Sequence, residues 1–492
     1  MTRSPVFRPA ADRYLPLGIA AFSAGMIVWV TQIWGLAVHK EQFGPLLIAR
    51  RLAGGAPFAF GVTDFPAGPL WPLWLSFFAK TGFAIESVAR FGQALVTALL
   101  LYTLTRFYLR HLLSRAIVAG TALAACTGML LLGEVYTLSP VPTMMLLATL
   151  GLLALARFLL EEQVLAFLAA TACLTAAALL WIPAVALSAG AALAILLGGR
   201  GNLARRATGA MFFSAAAIVP VMLVLIQSGW PESSGILAGF LVGLDQLTAW
   251  SMWAAWPMWL RSILTLFVLV GLVLVYWVTR GPAGIGPALK RRELQLWILI
   301  SIVWTLLLLV MPLSATLLPL LPALVLWPAL GLDSFRDYTP VARELSGRGA
   351  RFAVWASAIL LIIPVWQTIT GAWWLYRAGD GVRGFQWQTS PVVYEVRTGP
   401  QWPLYSDQPE LAQYVLDRPL RQLPTDLSNL ELTESRIFIL GDSCPPGFCD
   451  AAAQHPTLAI TASLATRDAF LYDVTLRPAE PALTASDSLI IP

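Results

Sequence analysis

Apolar runs long enough to cross a bilayer recur from Leu15 to about Leu375, and short loops between them hold most of the basic residues. A helix needs about 20 apolar residues to span the hydrocarbon core. In lipid every backbone amide must pair within its own segment unless the strands close a barrel. These runs lack the period-2 alternation of barrel strands, so they read as helices. Composition agrees: 58% of residues are hydrophobic and 12% charged, against about 45–50% and roughly 25% in soluble domains. The expected fold class is an α-helical polytopic membrane protein with about 11 transmembrane helices. The first run, 15–38, is too long for the core of a cleaved signal peptide and reads as an anchoring helix.

The net charge of +5 does not point to nucleic acid. The basic residues sit in clusters between apolar runs: Arg3/Arg8/Arg13, Arg106/Arg110/Arg115, Arg200/Arg205/Arg206, Arg280/Lys290/Arg291/Arg292 and Arg336/Arg343/Arg348/Arg351. The positive-inside rule places such clusters in the cytoplasm. One threading then follows. Helix 15–38 runs outward, 39–87 is a long outer loop, and 88–106 returns. Helix 112–133 runs out to Glu134 and 141–158 comes back. Helices 164–181 and 183–198 form a hairpin around Trp181-Ile182-Pro183. Helix 207–227 leads to a second outer loop, 228–258, and 260–279 returns. Helices 294–312 and 316–333 turn at Pro312-Leu313-Ser314, and 352–375 runs out. The protein is expected to be multi-pass in the plasma (inner) membrane, with a cytoplasmic N-terminus.

Two domains are expected: a transmembrane domain, 1–375, and a small extracytoplasmic α/β domain, 376–492. In the latter, "RIFILGD" and "DSLIIP" read as strands and "QPELAQYVLD" as a short helix. Cys126 and Cys173 fall inside apolar helices and read as packing residues. Cys444 and Cys449 bracket "PPGF". They form a small-loop disulfide if the tail is in an oxidising compartment, or stay free thiols if it is cytoplasmic. His455 alone is too little to complete a zinc site with them. There is no P-loop, DxD signature or internal repeat.

The first outer loop concentrates chemistry. Glu41, Arg50, Arg51, Asp64, Lys80 and Arg90 share the outer face, and Glu134 joins them from the next outer turn. Within the loop, "FGPLLIARRLAGG" is an amphipathic helix stopped by Gly54-Gly55. "PLWPLWLSFFAK" is aromatic and suits the membrane interface. A partly desolvated acid can take a proton from an acceptor hydroxyl or amine. A nearby cation can stabilise a departing lipid phosphate. The plainer reading is that the cations meet membrane phospholipid headgroups. Trp250, Trp253, Trp256 and Trp259 recur every third residue, as an aromatic wall or as an interfacial belt, with Asp245 just before them. His39 and His111 read as interfacial polar residues, and Glu161-Glu162 as a solvated inner turn.

The segment order "EQFGPLLIARRLAGGAPF", then "TDFPAGPLWPLWLSFFAKTGFAIESVARFGQALVTALLLYTLTRF", resembles the start of the GT-C superfamily of membrane glycosyltransferases. The resemblance is closest to the bacterial branch related to aminoarabinose transferase and protein O-mannosyltransferase. Glu41 matches the family's acid after helix 1, and Ala49 to Gly55 its "AR-x-L-x-x-G" helix. "DFPAGPLWPLW" matches its proline stretch and Arg90 its helix 2 arginine. The tail phrase "PLYSDQPELAQYVLDRPLRQLP" looks like the family's outer domain. The resemblance implies Glu41 as general base, Glu134 as a second acid, and Lys80 and Arg90 in phosphate or structural contact. Arg50, Asp64 and Asp245 complete the candidate set. The expected reaction moves a sugar from a polyprenyl-phosphate donor to an envelope glycan, lipid or protein by inverting displacement. A divalent metal is left open.

Two departures stand beside these matches. "SPVPTMMLL" lacks the family's Asp near the start of helix 4, and Ser314-Ala315-Thr316 replaces an Arg-Tyr before "LLPLLP". They keep a second reading in view, a catalytically inactive scaffold or partner-binding subunit. A transporter fits less well, because no inverted repeat is evident.

Overall fold

The computed structural model describes residues 11–38, 42–58, 66–112, 114–131, 133–199, 201–228, 241, 244–245, 248–249, 255–267, 270, 292–310, 318–334, 343–379, 384–385, 389–416, 418, 420–424, 427, 434–440, 448, 457–466 and 469–476. The chain divides into two compact units, Met1–Gly379 and Asp380–Pro492.

In the first unit, α1 spans Ala11–Val30 and stops well before Val38, where the apolar run had placed its end. The long loop that follows contains α2 (Phe43–Ala53), which ends at Gly54, and α3 (Leu70–Ala79). Helix α4 (Ile85–His111) starts earlier and ends later than expected. Then come α5 (Arg115–Leu131), α6 (Val141–Glu161) and α7 (Val164–Leu180). A 3-10 turn, Ile182–Ala184, leads into α8 (Val185–Gly198). The helix expected over 207–227 is two helices, α9 (Leu203–Ala217) and α10 (Val219–Ser228), bent by 40°. Pro220 explains the break: it has no N–H to give the carbonyl of Ala216 one turn back. The hydroxyl of Thr175 lies 3.3 Å from that carbonyl, while its shorter contact, at 2.7 Å, is to the Thr171 carbonyl. Among the described residues, helices α11 (Met258–Phe267), α12 (Arg292–Val310), α13 (Leu321–Ser334) and α14 (Arg343–Ala378) follow. The expected turn at Pro312-Leu313-Ser314 lies outside the described residues.

Helix α4 packs on α1 and α6, and α6 packs on α7. Ile27, Leu101, Leu104, Tyr108, Met144 and Leu155 are buried between them. Large apolar side chains such as Phe91, Leu95, Leu165 and Phe212 point outward, the inverse of a water-facing surface. Among the described residues, Ile85–His111 and Val141–Glu161 are each long and apolar enough to cross a membrane. The bent pair Leu203–Ala217 and Val219–Ile226 adds a third if it is one span. The expected total of about 11 spans is larger than this set.

The second unit holds α15 (Pro391–Thr398), β1 (Leu404–Ser406), α16 (Pro409–Leu416), β2 (Arg421–Gln422), β3 (Ser435–Leu440), β4 (Leu458–Ala465) and β5 (Ala469–Leu476). The sheet order is β2-β1-β3-β5-β4. β1 runs parallel to β2 and β3, and β5 antiparallel to β3 and β4. "RIFILGD" supplies β3 and "QPELAQYVLD" supplies α16, while "DSLIIP" lies outside the described residues. Buried Arg436 on β3 ties helix to sheet, with Nε 2.9 Å from Asp473 Oδ1 on β5 and Nη2 3.4 Å from Glu395 Oε1 on α15. Its guanidinium also lies over the Trp402 ring. Two carboxylates compensate a cation that would otherwise be costly to bury.

Candidate functional site

The end of the helical unit that bears Glu134 is built from the point where α1 stops. Arg90 on α4 places Nη1 3.1 Å from the carbonyl oxygens of Thr31 and of Gln32. A helix leaves its last carbonyls without partners, and a cation there is favoured by the helix dipole. Gly35 then takes φ +74°, a left-handed conformation that turns the chain out of the helix. A β-carbon at Gly35 would sit 3.3 Å from Glu86 Cγ. The amide of Leu36 donates to the carbonyl of Glu86 at 3.2 Å.

Past Gly35 the chain is extended and pairs with the turn between α5 and α6. Ala37 and Thr137 form a parallel bridge. The amide of Ala37 donates to the Tyr136 carbonyl at 2.9 Å, and the amide of Leu138 to the Ala37 carbonyl at 2.8 Å. Gln93 on α4 supports this turn from beneath: its Nε2 is 3.2 Å from the carbonyl of Glu134 and 3.4 Å from those of Thr137 and Ser139. In the same turn, burial, and to a lesser degree Cys126, pushes the phenol of Tyr136 up, so it stays protonated.

The far side of the long loop is fastened as well. Ala67 and Trp181 form an antiparallel bridge. Gly68 donates to the Leu180 carbonyl at 2.9 Å and Ile182 to the Pro66 carbonyl at 3.0 Å. Only glycine fits at position 68, because a β-carbon would fall 2.0 Å from the carbonyl oxygen of Leu179. The proline stretch of the loop is thus laid on the α7–α8 hairpin.

Of the residues expected to act, Glu41, Asp64, Cys444 and Cys449 lie outside the described residues. Glu134 is half-buried in the bridged turn. Arg50 is exposed in the last turn of α2, and Lys80 is exposed at the end of α3. Arg90 is half-buried and engaged with the end of α1. Asp245 pairs with Arg261 on α11, Oδ1 to Nη2 at 2.6 Å. Of the four tryptophans, Trp256 and Trp259 are described, and both are exposed.

Three residues missed in the sequence help to build this end. Glu86, assigned to the loop, is fully buried in the first turn of α4, where the helix N-terminus favours a carboxylate. Glu86, Arg90 and Gln93 follow the i, i+4, i+7 spacing of one helical face, a signal legible once α4 is extended to Ile85. Arg261 is 7% exposed with its charge met by Asp245. The Asp245 segment joins the bundle through Gln367, whose Nε2 donates to the Ala249 carbonyl at 3.3 Å. Thr368 next to it reaches the Thr127 carbonyl near the end of α5.

A groove of about 560 Å³ opens between α12 and α13, lined by Ile298, Ser301, Thr305, Leu320, Ala323 and Leu324 among others. Its two hydroxyls are satisfied within α12, Ser301 on the Trp297 carbonyl and Thr305 on the Ser301 carbonyl. None of the expected site residues lines it.

No family model matches the chain, and no curated protein matches it. Its fold is similar to that in the crystal structure of ArnT from Cupriavidus metallidurans bound to undecaprenyl phosphate. The TM-score is 0.55 at 13% identity, covering 94% of this chain and 98% of that chain. At that identity the likeness is one of fold, a polytopic membrane architecture shared over nearly the whole chain.

Proposed function

We propose that the protein is an integral membrane glycosyltransferase that moves a sugar from a polyprenyl-phosphate donor to an envelope acceptor. The observation that carries this reading is the Ala37–Thr137 bridge. It ties the chain four residues before Glu41 in the sequence to the turn that bears Glu134. The fold likeness to a protein bound to undecaprenyl phosphate supports a lipid-phosphate substrate.

In this reading Glu41 takes the proton of the acceptor hydroxyl or amine. The acceptor atom bonds to the anomeric carbon as the bond from that carbon to the phosphate oxygen breaks, with inversion. The lipid phosphate leaves with the bonding pair, and a cation lowers the cost of its growing charge. Exposed Lys80 is the candidate cation, whereas Arg90 orders the end of α1.

The scaffold reading is favoured by a different observation: Arg90 is engaged with main-chain carbonyls and Asp245 with Arg261. The deciding experiment is turnover of polyprenyl-phosphate sugars by purified protein in liposomes, wild type against Glu41→Gln. Turnover by wild type and its loss in a folded Glu41→Gln protein is the expected result. Equal turnover removes Glu41 from the mechanism. Absence of wild-type turnover across a donor panel favours the scaffold.

A further inference from the structure

Helix α14 carries an outward apolar stripe that ends in a cation. Trp355, Ile359, Ile362, Trp366, Ile369 and Trp373 are each at least 36% exposed. They recur at alternating spacings of four and three, which keeps them on one helical face. At 1.5 Å per residue the stripe is about 27 Å long, close to the roughly 30 Å of a bilayer's hydrocarbon core. Arg377 follows one turn after Trp373, exposed, with its guanidinium carbon 4.5 Å from the Trp373 ring centroid. Among the described residues no carboxylate pairs with it.

The cation sits at the margin of an aromatic platform shared by two helices. Trp373 stacks on Tyr376 at 6.0 Å, and Tyr376 stacks on Trp29 of α1 at 5.1 Å with 14° between the planes. Trp29 lies in the last turn of α1, whose end carbonyls Arg90 engages. The platform therefore lies at the same end of the unit as the bridged turn.

We propose that this corner of α1 and α14 holds an anionic phospholipid of the surrounding leaflet, with its phosphate on Arg377. The acyl chains lie along the α14 stripe, where lipid must cover the exposed tryptophans and isoleucines. The glycerol region rests against the Trp29–Tyr376–Trp373 platform, the interfacial depth that tryptophan and tyrosine favour. The guanidinium is pre-oriented by stacking on Trp373, which leaves its N–H groups for phosphate oxygens. An anionic headgroup is selected over a zwitterionic one because the latter brings its own cation to an arginine that no described carboxylate pairs with. The site does not depend on the transferase reading.

The test is native mass spectrometry of the purified full chain, titrated with phosphatidylglycerol and with phosphatidylcholine. Arg377→Gln is compared with wild type and with Arg205→Gln. Arg205 is a control cation, already paired with Glu162 at 3.2 Å. Wild type and Arg205→Gln are expected to retain phosphatidylglycerol preferentially. Arg377→Gln should lose about fivefold to tenfold of that affinity, with phosphatidylcholine unchanged. An equal loss in both variants, no loss in Arg377→Gln, or no preference in wild type would overturn the proposal.

Discussion

The side-chain amide of Gln93 donates to the main-chain carbonyl of Glu134 across 3.2 Å. The same nitrogen lies 3.4 Å from the carbonyls of Thr137 and Ser139, so one buried side chain on α4 braces a whole turn. Gln93→Leu keeps the bulk and removes the donor. Its expected cost is about 1 kcal/mol, because the Glu134 carbonyl also accepts from the Thr137 hydroxyl at 3.2 Å. If the turn positions Glu134 for catalysis, kcat falls about tenfold with KM little changed. A lowered melting temperature with unaltered kcat assigns Gln93 to stability alone.

Gly35 is constrained twice, by its φ of +74° and by the 3.3 Å approach of Glu86 Cγ. Gly35→Ala forces an L-residue into the left-handed region, at about 1–2 kcal/mol. The contact with Glu86 adds to this. Thermal melts of the two proteins in one detergent should show the variant clearly lower. Gly18→Ala, inside α1 where a β-carbon meets nothing within 4 Å, should melt no lower than wild type. Equal melting of all three contradicts the assigned turn.

Arg90 separates two roles that stability and kinetics distinguish. As the partner of the Thr31 and Gln32 carbonyls, its replacement by Met should cost about 1.5–3 kcal/mol, the range for hydrogen bonds to a charged group. A phosphate contact would instead raise the KM for lipid-linked donor and leave melting unchanged. We expect the first pattern.

Asp245 and Arg261 form a lopsided pair, the arginine side chain 8% exposed and the aspartate 51%. Asp245→Asn strips a buried guanidinium of its counter-charge and should lower the melting temperature. Arg261→Met in that background should recover part of the loss, because the stranded charge is gone. Additive losses would mean that the contact does not couple the two residues.

Apolar run length and charge placement by themselves determined a membrane-spanning helical chain, the α7–α8 hairpin, the stop of α2 at Gly54 and the strand in "RIFILGD". These features follow from local rules: how many apolar residues a bilayer demands, where glycine ends a helix, and which residues suit a pleated strand. The end of α1 was not legible. "TQIWGLAV" is as apolar as the helix before it, and what ends the helix is Arg90 across a sequence gap of 58–59 residues and Thr137 a hundred residues on. Glu86 was hidden for the same reason, since a buried acid and a loop acid look alike until the start of α4 is known. The tertiary structure alone decided which carbonyls each polar side chain satisfies. In a low-dielectric interior that requirement is strict, yet the partners that meet it come from distant segments and leave no local pattern.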